Sequence, residues 1–172
     1  VSYADAKQHR FRIDWTHTPI AKPEFLGARG IESMPLGDLV PYIDWSPFFM
    51  SWELKGKFPE IFHDPILGKE AKDLFERAQK MLQKLVRDKQ IQARAVYGFF
   101  PANSEGDDVL VYTDETRRTE FCRFPMLRQQ WQREGQTTFR SLADYIAPVE
   151  SRVPDYLGAF AVSAGFGTHE LV

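Results

Sequence analysis

A chain of 172 residues suits one domain, and at that size roughly 70% of the unfolded surface can be buried. Hydrophobic residues at 43%, charged residues at 27% and aromatics at 14% describe a globular α+β composition. The formal net charge of -2, with Lys and Arg interspersed among acids, excludes a general phosphate-binding surface, so nucleic acid is not an expected partner. The single Cys122 excludes an internal disulfide framework and suits a reducing compartment. No apolar run approaches the ~20 residues of a membrane helix, and the charged, polar start does not read as a signal peptide. These features predict a soluble, cytoplasmic protein with no membrane partner.

In chain order, Ser2 is positioned to cap a short helical turn through Ala4–Gln8, and Phe11, Ile13 and Trp15 then alternate as a strand or extended segment. Two prolines, Pro19 and Pro23, favour extended chain before a short strand or turn over 27–32. Leu36–Val40 is a plausible short helix that Pro41 interrupts. It leads into Tyr42-Ile43-Asp44-Trp45-Ser46-Pro47-Phe48-Phe49-Met50-Ser51-Trp52, a dense aromatic stretch around one carboxylate. Burial of that stretch is expected to supply core side chains worth about 1.5–3 kcal/mol each. A buried Asp needs hydrogen bonds or a cation, so Asp44 either caps a short helix through Phe48–Trp52 or faces a ligand. The residues alone favour the cap.

Asp64-Pro65 supplies a cap and a first-turn proline for the clearest helix of the chain, predicted from about Pro65 to Gln90. Its apolar stripe of Leu67, Ala71, Leu74, Phe75, Ala78, Met81, Leu82, Leu85 and Val86 reads as core packing, and the lone His63 as a surface residue. A hairpin follows, with strands over 95–101 and 109–112 and the polar run Asn103–Asp108 as its turn. Asp107 and Asp108 lack the alternation and terminal glutamate of a calcium loop, so a solvated turn is the favoured reading. Thr119–Phe124 alternates as a third strand that contains Cys122, and Leu127–Trp131 turns helical. Ser141 and Asp144 have the spacing of a capping box, closed by Pro148. Tyr156–Val162 is an apolar strand and Ser163–Gly167 a flexible exit without phosphate-loop spacing. No spacing identifies a nucleophile or a metal set, so the residues alone end at an α+β domain with one conspicuous Asp.

The blocks FRIDW, YIDWSPFFMSWELKGKFPEIF, GKEAKDLFERAQKML, RAVYGFFPANSEGDDVLVY, LRQQ, LADYIAP and DYLGAFAV occur in this order across nearly the whole chain. They resemble the activation domain of cobalamin-dependent methionine synthase, and specifically its N-terminal half. The resemblance implies an α+β fold: a twisted antiparallel sheet with flanking helices and one long amphipathic helix, residues 1–172 forming a single domain. It implies S-adenosylmethionine as bound ligand, with Asp44 accepting from the methionyl ammonium group, and so moves Asp44 from cap to ligand contact.

The function implied is reductive remethylation of cob(II)alamin, in support of methyl transfer from methyltetrahydrofolate to homocysteine. Cobalamin is then held by another domain, the cobalamin-binding domain is a partner, and flavodoxin or a related flavoprotein donates the electron. The chain would be part of a methyltransferase, with no catalytic acid, base or metal ligand of its own and no activity alone. The family's Arg-Pro-Ala-Pro-Gly-Tyr-Pro string, which carries most ligand contacts, does not occur in the sequence. The chain is therefore either a piece of that domain or a short stand-alone relative. The alternative function is a non-catalytic interaction module for a cobalamin domain or a flavodoxin-like partner.

Overall fold

The computed structural model describes residues 1–171. The fold is α+β, with a twisted antiparallel five-stranded sheet and flanking helices. Its strands are β1 (Gly27–Met34), β2 (Gln92–Glu105), β3 (Asp108–Tyr112), β4 (Glu120–Pro125) and β5 (Asp155–Phe166). They pair in the order β1-β2-β3-β4, and β5 also pairs with β2. The helices are α1 (Tyr3–Gln8), α2 (Leu36–Leu39), α3 (Trp45–Ser51) and α4 (Gly68–Asp88). Among the described residues no helix is long and apolar enough to cross a membrane.

The chain forms two compact units, one of Val1–Arg29 with Tyr97–Phe160, the other of Gly30–Val96 with the chain from Ala161 onward. The first unit is built on the β2–β3 hairpin. Its register pairs Ala102 with Val111 and Glu105 with Asp108, so only Gly106 and Asp107 form the turn. The expected turn over Asn103–Asp108 is therefore shorter, and Asn103 and Ser104 are buried strand residues. Burial of such polar side chains requires partners. The Asn103 amide donates to the Ala147 and Val153 carbonyls, each at 2.9 Å, and the Ser104 hydroxyl donates to the Ile146 carbonyl at 2.8 Å. Around them Ala102, Val109 and Ala143 form a small apolar core.

Leu127–Trp131, expected to be helical, is extended, and Arg128 bridges to Ser141. The physical reason lies in the Arg128 guanidinium, whose buried partners fix this segment more strongly than helix propensity would. The segment around Phe11 is extended without being a strand, apart from a bridge between Arg10 and Phe139. Ser141 and Asp144 do form the predicted capping box, on a 3₁₀ turn over Leu142–Tyr145. Ser2 caps α1 as expected.

The second unit is organised by aromatic packing. Phe49 is fully buried among Leu54, Ile61, Ala71 and Leu74, with Trp45, Phe48, Phe58, Phe62 and Phe75 packed against them. Phe62 meets Phe49 edge-on at 5.9 Å between centroids, and Trp45 meets Phe75 edge-on at 4.9 Å, the geometry that aligns a positive ring edge with a negative face. The aromatic stretch is not uniformly buried, since Tyr42, Met50 and Trp52 remain exposed. Met50 lies off the one face that the seven-residue α3 presents to the core, Tyr42 precedes that helix and Trp52 caps its end.

The long helix α4 starts at Gly68 rather than near Pro65. Asp64 accepts from the Ile66 and Leu67 backbone N–H groups at 2.8 Å each, so a polar turn occupies the first expected helical residues. A Cβ at Gly68 would lie 2.7 Å from the Phe62 carbonyl oxygen, so the close approach there requires glycine. At the far end of the chain, the expected loop over Ser163–Gly167 is strand as far as Phe166. Its small residues fit a pleated backbone as readily as a turn, and pairing with β2 decides between them.

Candidate functional site

Asp44 is the N-cap of α3, with extended backbone at φ -80° and ψ 112°. Its Oδ1 accepts from the Ser46 backbone N–H at 3.0 Å. Ser46 in turn accepts, through its hydroxyl, from the Phe58 backbone N–H at 3.1 Å, which ties the start of α3 to the segment carrying Phe58. The carboxylate itself is exposed rather than buried among its aromatic neighbours. The local turn thus accounts for one carboxylate oxygen, while Oδ2 has no hydrogen-bond partner among the described residues. An N-cap carboxylate is stabilised in its charged form by the helix amides, and a second, open oxygen can accept from an ammonium group.

Beside Asp44 lies a feature that the periodicity of α4 did not disclose. Only the first half of the predicted stripe is core, with Ala71 and Leu74 buried. The second half, including Met81, Leu82 and Leu85, lines an open apolar groove of about 450 Å³ together with Ile43, Trp45, Phe48 and Trp52. Met81 is 59% exposed and Trp52 60%. The signal in the sequence was length: a stripe spanning most of a 21-residue helix exceeds what a single small aromatic core can cover.

The first unit carries a separate polar centre. The Arg128 side chain is fully buried between Asp107 and Asp144. Its Nη2 donates to Asp107 Oδ1 at 2.6 Å and to Asp144 Oδ1 at 2.7 Å, its Nη1 to Asp144 Oδ2 at 2.9 Å and to the Phe139 carbonyl at 2.7 Å, and its Nε to Asp107 Oδ2 at 3.0 Å. Every guanidinium N–H is used, which is the condition for a buried cation to be tolerated. The Arg128 hydrogen bond holds the Asp107 carboxyl below the usual carboxylate range despite the opposing effect of burial. Asp107 is therefore a structural anion, not part of a solvated turn as its sequence suggested. Among the described residues no three His, Cys, Asp or Glu side chains are arranged to hold a metal ion. Cys122 is a free, half-buried residue within β4, and His63 is exposed.

The fold is thus an α+β module with an exposed carboxylate at the start of an aromatic helix. Residues 35–172 match the family described as vitamin B12 dependent methionine synthase, activation domain, and the chain belongs to that family. It is also similar to a solved structure of the MetH reactivation domain bound to AdoHcy, with 40% sequence identity and a TM-score of 0.88. The likeness covers 99% of this chain and 52% of that one, so the chain spans about half the length of the solved relative.

Proposed function

We propose that this chain contributes Asp44 to an S-adenosylmethionine site that serves reductive remethylation of cob(II)alamin. The observation that carries the reading is the likeness, at 40% identity over 99% of the chain, to a reactivation domain that binds AdoHcy. Asp44 Oδ2 accepts from the methionyl ammonium group, while Oδ1 stays on the Ser46 N–H and fixes the carboxylate's direction. The cap thereby orients the ligand contact, and the two roles weighed for Asp44 belong to one side chain. The chain works by positioning the methyl donor rather than by acid or base chemistry of its own. Cobalamin, held by another domain, supplies the methyl-accepting metal after an electron arrives from flavodoxin or a related flavoprotein. Restoration of that cofactor supports methyl transfer from methyltetrahydrofolate to homocysteine. Residues 1–172 serve as a single cytoplasmic domain whose macromolecular partner is the cobalamin-binding domain.

Calorimetric titration of S-adenosylmethionine and of AdoHcy into the chain and into Asp44→Asn tests this reading. Asn caps helices about as well as Asp, so the variant keeps α3 while removing the negative charge. Binding to the parent and a loss of about tenfold or more in the variant is expected for a hydrogen bond to a charged group. Equal binding by both would remove Asp44 from the site. No binding of either ligand to the parent would mean that these residues do not form the site by themselves.

A further inference from the structure

The first unit holds a cavity of about 220 Å³, lined by its N-terminal arm, by the β2–β3 hairpin and by the turns that follow Ser141. Its walls are held by contacts of their own. The Phe139 backbone N–H donates to the His9 carbonyl at 3.0 Å, Phe11 packs against Tyr145 with ring centroids 5.4 Å apart, and the Arg140 guanidinium lies 5.0 Å from the Phe11 centroid. Two polar groups around the cavity are already satisfied. Asp144 is committed to Arg128 and to the Ser141 N–H, and the Ser104 hydroxyl to the Ile146 carbonyl. Arg10, Arg12 and Glu150 also line the cavity, and none of these side chains has an ion pair or a hydrogen bond among the described residues. Both signs of charge thus border one small space without pairing to each other. Ile13, Trp15 and Ile146, all half-buried, supply apolar wall beside them.

We propose that this cavity binds a free α-amino acid with a small apolar side chain. Size sets the first limit, because the cavity is smaller than the about 300–1,000 Å³ of pockets that take drug-sized ligands. Charge sets the second. A plain anion would sit beside the Glu150 carboxylate, and a plain cation beside two guanidinium groups, whereas a zwitterion satisfies both signs at once. The ligand carboxylate accepts from Arg10 and Arg12, whose planar forks match a carboxylate, and its ammonium group donates to Glu150. The ligand side chain is covered by Ile13, Trp15 and Ile146, which removes apolar surface from water. Every lining residue belongs to the first unit and Asp44 to the second, so the inference is independent of the S-adenosylmethionine reading and fails separately from it.

The test is titration of the whole chain with L-leucine and L-valine, followed by calorimetry and by the Trp15 indole N–H resonance, which Trp15→Phe identifies by its loss. Both amino acids are expected to bind and to shift that resonance. Isocaproate is leucine without its ammonium group and isoamylamine is leucine without its carboxylate, and each is expected to bind about tenfold or more weakly. Glu150→Gln, and Arg10→Gln combined with Arg12→Gln, are expected to weaken leucine binding by a similar factor. Arg118→Gln, which removes an exposed charge that does not line the cavity, is expected to leave it unchanged. Far-UV circular dichroism verifies that each variant folds. No shift of the Trp15 resonance with either amino acid would overturn the proposal. Isocaproate binding as tightly as leucine, with Glu150→Gln without effect, would make the cavity a plain anion site and overturn it as well. Leucine binding that is insensitive to both sets of charge variants would place the ligand elsewhere, with the same consequence.

Discussion

The two units solve the same problem of internal cohesion with opposite chemistry. Around Phe49 the second unit packs rings whose contacts tolerate a range of angles, from edge-on with Phe62 to nearly parallel with Phe58 at 14°. Around Arg128 the first unit depends on a directional set in which every N–H is aimed at a fixed acceptor. Dispersion and the hydrophobic effect are non-directional and degrade gradually when a side chain shrinks. A buried ion network fails abruptly, because removal of one member strands the others without solvent. The aromatic unit should therefore be the more forgiving of substitution, although its side chains are the more conspicuous in the sequence.

Arg128→Ala should break this contrast most severely. Asp107 and Asp144 would remain buried with their compensating charge gone, and loss of one partner of a buried pair costs about 3–5 kcal/mol. Urea unfolding measures the loss, and hydrogen exchange over β3 and β4 shows whether it begins in the first unit. Acid offers a related test. The Asp107 carboxyl titrates below its ordinary value because Arg128 donates to it. Its contribution is therefore present above the unfolded carboxylate value of about 3.9 and is lost as pH falls through the lower folded value. Stability measured against pH should fall in that acid window for the parent, and Asp107→Asn should remove this group's share of the slope. An unchanged slope in the variant would show that the pair contributes nothing to acid sensitivity.

Phe49→Leu probes the aromatic unit in the same way. Phe49 is fully buried, but its neighbours are large and make varied contacts, so they can close on a smaller apolar side chain. A loss of no more than about 1.5 kcal/mol is expected, as for other hydrophobic replacements that retain most of the volume. Equilibrium unfolding of Phe49→Leu and Arg128→Ala side by side decides the matter. Equal losses would mean that the aromatic cluster is packed as exactingly as the ion network.

Legibility in the sequence follows the same division. The aromatic core announces itself because Trp45, Phe48, Phe49, Phe58 and Phe62 fall within one short segment, and α4 because its period is local. The caps at Ser2, Asp44 and Ser141 were also local, each needing only a few neighbouring residues. The ion network was not legible, since positions 107, 128 and 144 meet only through tertiary folding. Asp107 in particular looked like a hairpin turn residue in contact with water, and Arg128 like part of a helix. Asp44 was conspicuous, yet its local sequence gave no sign that one oxygen would serve Ser46 and leave the other open. The groove was half visible: the stripe on α4 was plain, but where burial stops along it depends on how far α3 reaches.

The smallest effect is expected where local and tertiary interactions share a residue pair. Ser141 accepts from the Ala143 N–H at 3.3 Å, and its own N–H donates to Asp144 Oδ2 at 2.9 Å, an oxygen that also receives Arg128 Nη1. Ser141→Ala deletes the hydroxyl acceptor and leaves Asp144 in place, because the backbone N–H that holds the carboxylate survives. The expected cost is about 1 kcal/mol, that of a lost N-cap, read from urea unfolding. A loss as large as that of Arg128→Ala would mean that the cap hydroxyl helps to aim Asp144 at the guanidinium, making the capping box and the ion network one cooperative unit. A loss near 1 kcal/mol, matched by an acid dependence like the parent's, would show that the backbone alone orients Asp144 and that the two devices act independently.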